Sequence, residues 1–169
     1  GSLDPELLAE SQSLGQLIQG MQPLTAPENQ SVREVMQRMD QGRFSATIVL
    51  REDIPVGILT QRDVIHLIDA NADLNQPVSH CMTAPLKTLG QDTTISQALR
   101  FCRRHRIKRV VVVDANDRFI GLVGQRDLVS LYYNRWFNLL KEHQQQLDRL
   151  NQALRQANRI SGRELYRWP

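Results

Sequence analysis

Apolar and polar residues follow the same order of periodicities twice along this chain. Apolar side chains recur at helical spacing over residues 32–39 and again over residues 95–102. Ser31 and Thr94 stand immediately before these segments and are suitable N-caps, so a helix is predicted to begin after each. The two N-caps lie 63 residues apart, which indicates an internal repeat.

Short apolar runs follow both predicted helices. They predict two strands in each copy, at 45–50 and 56–59 in copy one and at 109–114 and 120–123 in copy two. The uninterrupted run Val110–Val113 is typical of a strand that is buried on both faces. A further helix is predicted after each second strand, so each copy is expected to contain an extended segment, a helix, two strands and a second helix.

The turn before that last helix is almost the same in both copies. Copy one has VGILTQRDVIHLI at 56–68, and copy two has IGLVGQRDLVSLY at 120–132. A helix start presents free backbone N–H groups and partial positive charge, which favour an anion. Thr60 can cap the helix or bind a phosphate, and Asp63 can complete a capping box or accept both hydroxyls of a ribose. In copy two, Gly124 replaces the threonine.

The repeated pattern resembles a tandem pair of cystathionine-β-synthase-type (CBS) domains, known as a Bateman module. The segments that carry the resemblance are TAPENQSVREV, IVLREDIPVGILTQRDV, MTAPLKTLGQDTTISQAL and VVVVDANDRFIGLVGQRDL, within about residues 21–132. The resemblance implies an α/β fold of two βαββα repeats packed through their sheets. It also implies a regulatory ligand in the cleft between the repeats, either an adenine nucleotide (AMP, ADP or ATP) or S-adenosylmethionine.

The resemblance also implies which residues bind that ligand. The Thr60 hydroxyl is expected at the phosphate and Asp63 at the ribose, with three residues of copy one along the base. The full set of expected ligand-binding residues is Thr25, Phe44, Ser45, Ala46, Thr60, Arg62, Asp63, Thr88, Lys108 and Asp127. Arg62 could equally be a surface side chain.

Copy two departs from copy one where the ligand is expected. Besides the lost hydroxyl, the small pair Ser45-Ala46 becomes Lys108-Arg109, whose bulk should crowd an adenine. One competent cleft, built mainly on copy one, is therefore expected, and the other cleft is either degraded or retuned for a more anionic ligand. The basic run 102–109 could be a solvated helix end, a phosphate site or a nucleic-acid site, and the lack of interleaved aromatic residues disfavours the last.

Both ends of the chain are predicted to be helical. Leu14, Leu17, Ile18 and Met21 fit one face of a helix over residues 5–21, which is expected to pack against the pair or against a second subunit.

Towards the other end, no Pro or Gly interrupts the chain from Asp127 to about residue 158. Leu140, Leu147 and Leu154 recur every seven residues, which favours a parallel coiled-coil homodimer. The alternative is a long amphipathic helix lying on its own domain.

These features divide the chain into five predicted segments. They are an expression-tag remnant with the N-terminal helix (1–20), repeat one (21–70), the connector with repeat two (71–132), a helical linker (133–160) and the truncated start of a downstream segment (161–169). The downstream segment is expected to belong to an output domain, such as a PAS, diguanylate cyclase (GGDEF) or kinase domain, of a larger bacterial signalling protein.

Composition narrows the class of protein further. The 41% of apolar residues suffices for a packed core in 169 residues, and the net charge of +3 is mild. No apolar run is long enough to span a membrane, and no signal peptide is visible. Cys81 and Cys102 stand alone, so reduced thiols in a cytoplasmic protein are expected rather than a disulfide or a metal site.

No catalytic constellation and no Gly-rich phosphate loop is present in the sequence, so a regulatory module without enzymatic activity is predicted. The alternative function is a dimerisation scaffold whose clefts bind nothing. Neither nucleic acid nor a membrane is an expected partner.

Overall fold

The fold consists of two similar α/β units in tandem. A computed structural model of the chain describes the backbone of residues 12–165 and the side chains of residues 12–160. One helical turn, α1 (Leu14–Leu17), precedes copy one, which contains β1 (Leu24–Pro27), α2 (Val32–Gly42), β2 (Ala46–Arg51), β3 (Ile54–Thr60) and α3 (Gln61–Asp69). A connector with a 3-10 turn (Val78–His80) leads to copy two, which contains β4 (Thr88–Gly90), α4 (Ile95–His105), β5 (Arg109–Val113), β6 (Phe119–Gly124) and α5 (Gln125–Leu165).

Each copy forms a three-stranded sheet with the same topology. The strand orders are β1-β2-β3 and β4-β5-β6, and in each sheet the first pair is parallel and the second antiparallel. Ala46 pairs with Thr60 in one sheet and Arg109 pairs with Gly124 in the other, so equivalent positions of the repeat occupy equivalent places. The predicted βαββα order is confirmed.

The central strands are buried on both faces, as the run Val110–Val113 predicts. Val49 belongs to the helix-side core of copy one and Val112 to that of copy two. Ile48 and Val111 belong to neither core, yet they are only 0% and 2% exposed. Because alternate residues of a strand point to opposite faces, the second face of each sheet is also covered, which confirms that the copies pack through their sheets.

The predicted N-caps are in place. The Ser31 hydroxyl accepts a hydrogen bond from the Glu34 N–H, and the Thr94 hydroxyl accepts one from the Gln97 N–H, both at 3.2 Å. Each cap satisfies one of the free N–H groups of a helix start and stabilises the helix by about 1 kcal/mol. The short polar side chains therefore fix where α2 and α4 begin.

The N-terminal segment packs on copy two. Leu14 and Ile18 are buried in the core of that copy. The predicted apolar face is correct for these two residues and for the partly buried Leu17, which packs on the same core, and wrong for Met21, which is 44% exposed. The reason is that α1 is only one turn long and Gly20 then turns the chain with a φ of 82°. The part of the predicted helix over residues 5–11 lies outside the described residues.

The connector packs on copy one in the equivalent way, with Val78 fully buried in its core. Each docked segment lies against a glycine of a third strand. A Cβ on Gly121 would lie 2.8 Å from the Ile18 side chain, and a Cβ on Gly57 would overlap the Met82 side chain. Both glycines are therefore required by the close approach of a neighbouring segment.

The last helix is much longer than its counterpart α3, as predicted. The side chains of the leucine seam are exposed in a single chain, by 51% at Leu140, 39% at Leu147 and 53% at Leu154. This part of α5 therefore does not lie on its own domain, which contradicts that alternative. The helix continues through residue 160 to Leu165, and the expectations for the tail beyond it lie outside the described residues.

Candidate functional site

Thr60 and Asp63 form a capping box at the start of α3. The Oδ2 atom of Asp63 accepts hydrogen bonds from the Thr60 N–H at 2.8 Å and from the Thr60 hydroxyl at 3.0 Å. In return, the Asp63 N–H donates to the Thr60 hydroxyl at 3.2 Å. The second carboxylate oxygen, Oδ1, receives only a long hydrogen bond of 3.5 Å from the Thr83 hydroxyl. One carboxylate oxygen is thus used by the cap and the other keeps most of its accepting capacity.

The same two side chains line a cavity of about 350 Å³ between the copies, here called cleft A. This volume lies within the range of small-molecule sites. The apolar residues of cleft A are Ile58, Pro85, Leu86, Ile107 and Val111, and its other polar residues are Thr83, Lys87, His105, Lys108 and Arg109. Capping the helix and facing a cleft are therefore compatible roles for Thr60 and Asp63.

The connector forms one wall of cleft A. Ile58 of β3 and Thr83 exchange two backbone hydrogen bonds, of 3.1 and 2.8 Å. The side chain of Met82 lies against Gly57 on the same strand. These contacts hold the connector beside the start of α3.

A related cleft, here called cleft B, lies at the start of α5. It consists of two adjoining cavities of about 510 and 270 Å³, which share Ser45. The larger cavity is polar and is lined by Ser45, Lys108, Arg109, Gly124, Gln125, Arg126 and Asp127. The smaller cavity is lined by Met21, Gln22, Pro23, Leu24, Phe44, Ser45, Ala46 and Leu122.

The two copies contribute to the clefts in a crossed arrangement, which differs from the expectation of one cleft built mainly on copy one. Phe44, Ser45 and Ala46 line cleft B, together with the turn of copy two. Thr60 and Asp63 face Ile107 and the cations of copy two in cleft A. Ala46 is the sheet neighbour of Thr60, yet Ala46 lines cleft B and Thr60 lines cleft A.

A comparison with known families agrees with this repeated architecture. The model of the CBS domain matches twice, over residues 14–70 and over residues 78–134. The chain belongs to the CBS domain family. It is a tandem CBS pair, and the resemblance inferred from the repeated turn is confirmed.

Relatives of the CBS pair match about three fifths of the chain. The CBS domain-containing protein YhcV of Bacillus subtilis is 30% identical over 108 residues, which are 63% of this chain and 76% of that protein. Two archaeal relatives are 27% identical, and the chain spans only 57% and 61% of their lengths.

Two solved structures share the fold. A CBS domain protein of Pyrobaculum aerophilum complexed with AMP has a TM-score of 0.61 and 24% identity, and the match covers 69% of this chain and 89% of that one. The CBS domain pair of protein MJ0100, in complex with 5′-methylthioadenosine and S-adenosyl-L-methionine, has a TM-score of 0.63 and 21% identity and covers 73% and 98%. At these identities the likeness shows the fold alone.

Three of the expected ligand-binding residues do not line the clefts. Thr25 of β1 pairs with Ile48, Thr88 of β4 is exposed, and Arg62 is exposed on α3. None of the three is among the residues that line cleft A or cleft B. Thr60, Asp63 and Lys108 do meet in cleft A, and Asp127 lies with Lys108 in cleft B.

The basic run of the second CBS repeat divides between the surface and the clefts. Arg103, Arg104 and His105 form the last turn of α4, and both arginines are exposed, as expected for a solvated helix end. Lys108 and Arg109 line the clefts instead. The surface interpretation therefore holds for the two arginines of the helix end, and the phosphate interpretation stays a prediction for Lys108 and Arg109.

The sequence reasoning did not identify the connector wall of cleft A. Thr83, Lys87 and His105 line the cleft, and the Lys87 ammonium donates to Nδ1 of His105 at 3.1 Å. A signal was available, because residues 84–87 stand 63 positions after Met21–Leu24, which line cleft B. Aligning the two segments by the 63-residue repeat indicates that they form equivalent walls of the two clefts.

Neither thiol is among the residues that line the clefts. Burial raises the pKa of Cys102, and burial together with the nearby Asp73 raises the pKa of Cys81. Across residues 12–160, no group of three or more His, Cys, Asp or Glu side chains could hold a metal ion. None of the described helices is long and apolar enough to cross a membrane.

Proposed function

We propose that this CBS pair is a regulatory sensor that binds an adenine nucleotide or an adenosyl ligand in cleft A. One observation carries the proposal: Thr60 and Asp63 at the start of α3 face a cavity that also has an apolar wall and several cations. A nucleotide needs these three features, because hydrogen-bonding groups bind its ribose, an apolar wall packs against its base and cations bind its phosphate. The solved CBS pairs with AMP, or with 5′-methylthioadenosine and S-adenosylmethionine, support this class of ligand.

In the proposed complex, Asp63 accepts hydrogen bonds from the ribose hydroxyls through Oδ1, since Oδ2 is occupied by the cap. The base lies against Ile58, Leu86 and Ile107. The phosphate lies at the N-terminus of α3, where the helix dipole favours an anion. A hydrogen bond to the charged carboxylate contributes about 1.5–3 kcal/mol.

Isothermal titration calorimetry with AMP, ADP, ATP and S-adenosylmethionine tests this proposal. Asp63→Ala is expected to weaken the ligands that bind by about tenfold or more. Asp63→Asn retains an oxygen that can accept from the Thr60 N–H, so it separates loss of the cap from loss of the charge. Asp69→Ala is the matched control, because it removes the same charge from the other end of α3, outside the clefts.

A second candidate function is a dimerisation scaffold with non-functional clefts. It is favoured by the capping box, in which Thr60 and Asp63 already satisfy each other. If none of the four ligands binds below millimolar concentration, the sensor proposal fails and the scaffold remains.

The proposed sensor acts as a homodimer. Large apolar side chains are exposed on α3, by 58% at Ile65 and 56% at Ile68. Others are exposed on α5, by 50% at Val129, 63% at Tyr133 and 46% at Phe137. Exposed large apolar side chains on these two helices are typical of protein contact surfaces, and the leucine seam of α5 supports a coiled coil. Sedimentation equilibrium is expected to show a dimer.

Signal transmission is proposed to run along α5 to an output domain of a larger bacterial signalling protein. A ligand shifts the geometry of α5 only if it binds two arrangements of the dimer with different affinity. Spin labels attached at Gln152→Cys report the distance between the two copies of α5 by double electron–electron resonance. This distance is therefore expected to change on adding the ligand. Unchanged distances would show that the ligand binds without changing the geometry of α5, and would contradict the proposed transmission.

The proposed module has no catalytic role and acts in the cytoplasm, where adenine nucleotides are abundant. Titration of the purified chain with each ligand is expected to return the ligand unchanged, as measured by chromatography after prolonged incubation. Turnover of any of them would contradict the non-enzymatic part of the proposal.

A further inference from the structure

The cationic side chains of the clefts outnumber the carboxylates that face them. Cleft A contains Lys87, Lys108 and Arg109 against the single carboxylate of Asp63. The polar cavity of cleft B contains Lys108 and Arg109 again, with Arg126, against the single carboxylate of Asp127. Lys108 and Arg109 therefore line both clefts, and each cleft has a net positive charge.

The shared cations are not neutralised within the described part of the chain. The ion pair there joins Arg51 and Glu28, and it involves neither Lys108 nor Arg109. The Arg109 guanidinium donates one long hydrogen bond of 3.5 Å to the Ser45 hydroxyl, and the Lys108 side chain is exposed. Both cations are thus available to an anion that enters either cleft.

The first CBS repeat has no such pair at the equivalent positions. Ala46, the sheet partner of Thr60, stands where the second repeat has Arg109, the sheet partner of Gly124. Ser45 likewise stands where the second repeat has Lys108. The clefts therefore share one pair of cations rather than having a pair each.

We propose that Lys108 and Arg109 form a single phosphate-binding site shared by the two clefts, which makes the module selective for one nucleoside di- or triphosphate per chain. The inference rests on the proposed function and specifies its ligand class. The single phosphate of a monophosphate, when it lies at the start of α3, leaves no second phosphate group to bind Lys108 and Arg109. S-adenosylmethionine carries a positive sulfonium, which nearby cations disfavour. Once a polyphosphate in cleft A holds the shared pair, a second polyphosphate in cleft B would find only Arg126, which lies beside the carboxylate of Asp127.

Calorimetry with AMP, ADP and ATP on the full chain tests this inference. We expect ATP to bind at least tenfold more tightly than AMP, with one ATP per chain. The double variant Lys108→Ser, Arg109→Ala, which carries the residues of the first repeat, is expected to lose most of this advantage. Arg103→Ala, Arg104→Ala is the matched control, because it removes the same charge from the exposed end of α4 and should keep the ATP preference.

Thermal unfolding of each variant checks that it is folded. If the double variant is unfolded, Lys108→Ser alone replaces it, because that residue is exposed and lies just before β5. The single change is then expected to reduce the ATP preference severalfold.

The possible outcomes separate the two proposals. Binding of AMP and ATP with equal affinity overturns the inference and leaves the sensor proposal intact. The same is true if two ATP bind per chain, or if both double variants lose the preference equally, since the effect would then come from overall charge. Failure of every nucleotide and of S-adenosylmethionine to bind overturns the sensor proposal itself.

Discussion

Restoring the missing hydroxyl at Gly124 should give cleft B the phosphate contact that is proposed for Thr60 in cleft A. Thr60 donates its hydroxyl to Asp63 and accepts from the Asp63 N–H. A Cβ on Gly124 would lie 3.4 Å from Oδ2 of Asp127, an ordinary contact, and no other heavy atom outside its chain neighbours lies within 4 Å. The φ of Gly124 is outside the left-handed region, so a threonine is not strained there. Gly124→Thr can therefore form the same capping box.

The size of the effect follows from what the hydroxyl can bind. As a helix cap, threonine in place of glycine gains only a few tenths of a kcal/mol. When the hydroxyl donates its one proton to a charged phosphate instead of to the aspartate of the cap, it contributes about 1.5–3 kcal/mol, which corresponds to about tenfold to a hundredfold in affinity. Ligand binding should thus change far more than stability does.

The cleanest assay isolates cleft B. Asp63→Ala reduces binding in cleft A, and calorimetry with AMP then compares Asp63→Ala with Asp63→Ala, Gly124→Thr. The second variant is expected to regain a site of about one AMP per chain. Asp63→Ala, Gly124→Ala is the control, because it adds the Cβ without the hydroxyl. Equal AMP affinity in the threonine and alanine variants would refute the reasoning, since the added hydroxyl would then contact no phosphate.

Three further predictions concern stability, thiol chemistry and assembly. Thr47 is fully buried, its hydroxyl has no hydrogen-bond partner, and the equivalent residue of the second repeat is Val110. Thr47→Val should therefore stabilise the fold by about 1 kcal/mol and raise Tm in thermal unfolding by about 2–4 °C, whereas Val110→Thr should lower Tm. Because the pKa values of Cys81 and Cys102 are raised, alkylation by iodoacetamide should be slow at pH 7 and accelerate as pH rises above the ordinary thiol range; fast labelling of the folded chain at pH 7 would contradict this. Leu147→Glu on the exposed seam of α5 should weaken the dimer about tenfold or more by sedimentation, and an unchanged dissociation constant would exclude the coiled coil.

Local rules predict most of the secondary structure because the relevant interactions are short in sequence. Ser31 and Thr94 mark helix starts through hydrogen bonds to residues three positions away, and those bonds are present. The run Val110–Val113 predicts a strand buried on both faces, because continuous apolar side chains are favourable only where both faces exclude water.

Contacts between distant segments were harder to predict. The residues around Leu14 and Ile18 do not indicate that these side chains pack in the core of the second repeat. Gly121 is a signal of this contact, because it allows Ile18 to lie close to β6. The apolar spacing of Leu14, Leu17, Ile18 and Met21 fits a helix, but the left-handed conformation of Gly20 turns the chain before Met21. Spacing identifies which residues are apolar, but the docking partner depends on the whole packed pair.

The crossed clefts change what the differences between the repeats mean. If each repeat formed its own cleft, the Thr60 hydroxyl would face the uncharged Ser45 and Ala46, and Lys108 and Arg109 would face Gly124. The second repeat would then appear degraded. In the crossed arrangement, the hydroxyl and the two cations meet in cleft A.

The same two cations also reach cleft B, where the hydroxyl is missing. Under the proposed function, a phosphate in cleft A would contact the Thr60 hydroxyl and the shared cations together, whereas a phosphate in cleft B would find the shared cations without that hydroxyl. On this proposal, the single change from threonine to glycine determines which cleft the shared cations serve. For this reason, the loss of one hydroxyl in the repeated turn is better explained as specialisation of the pair than as decay of one half.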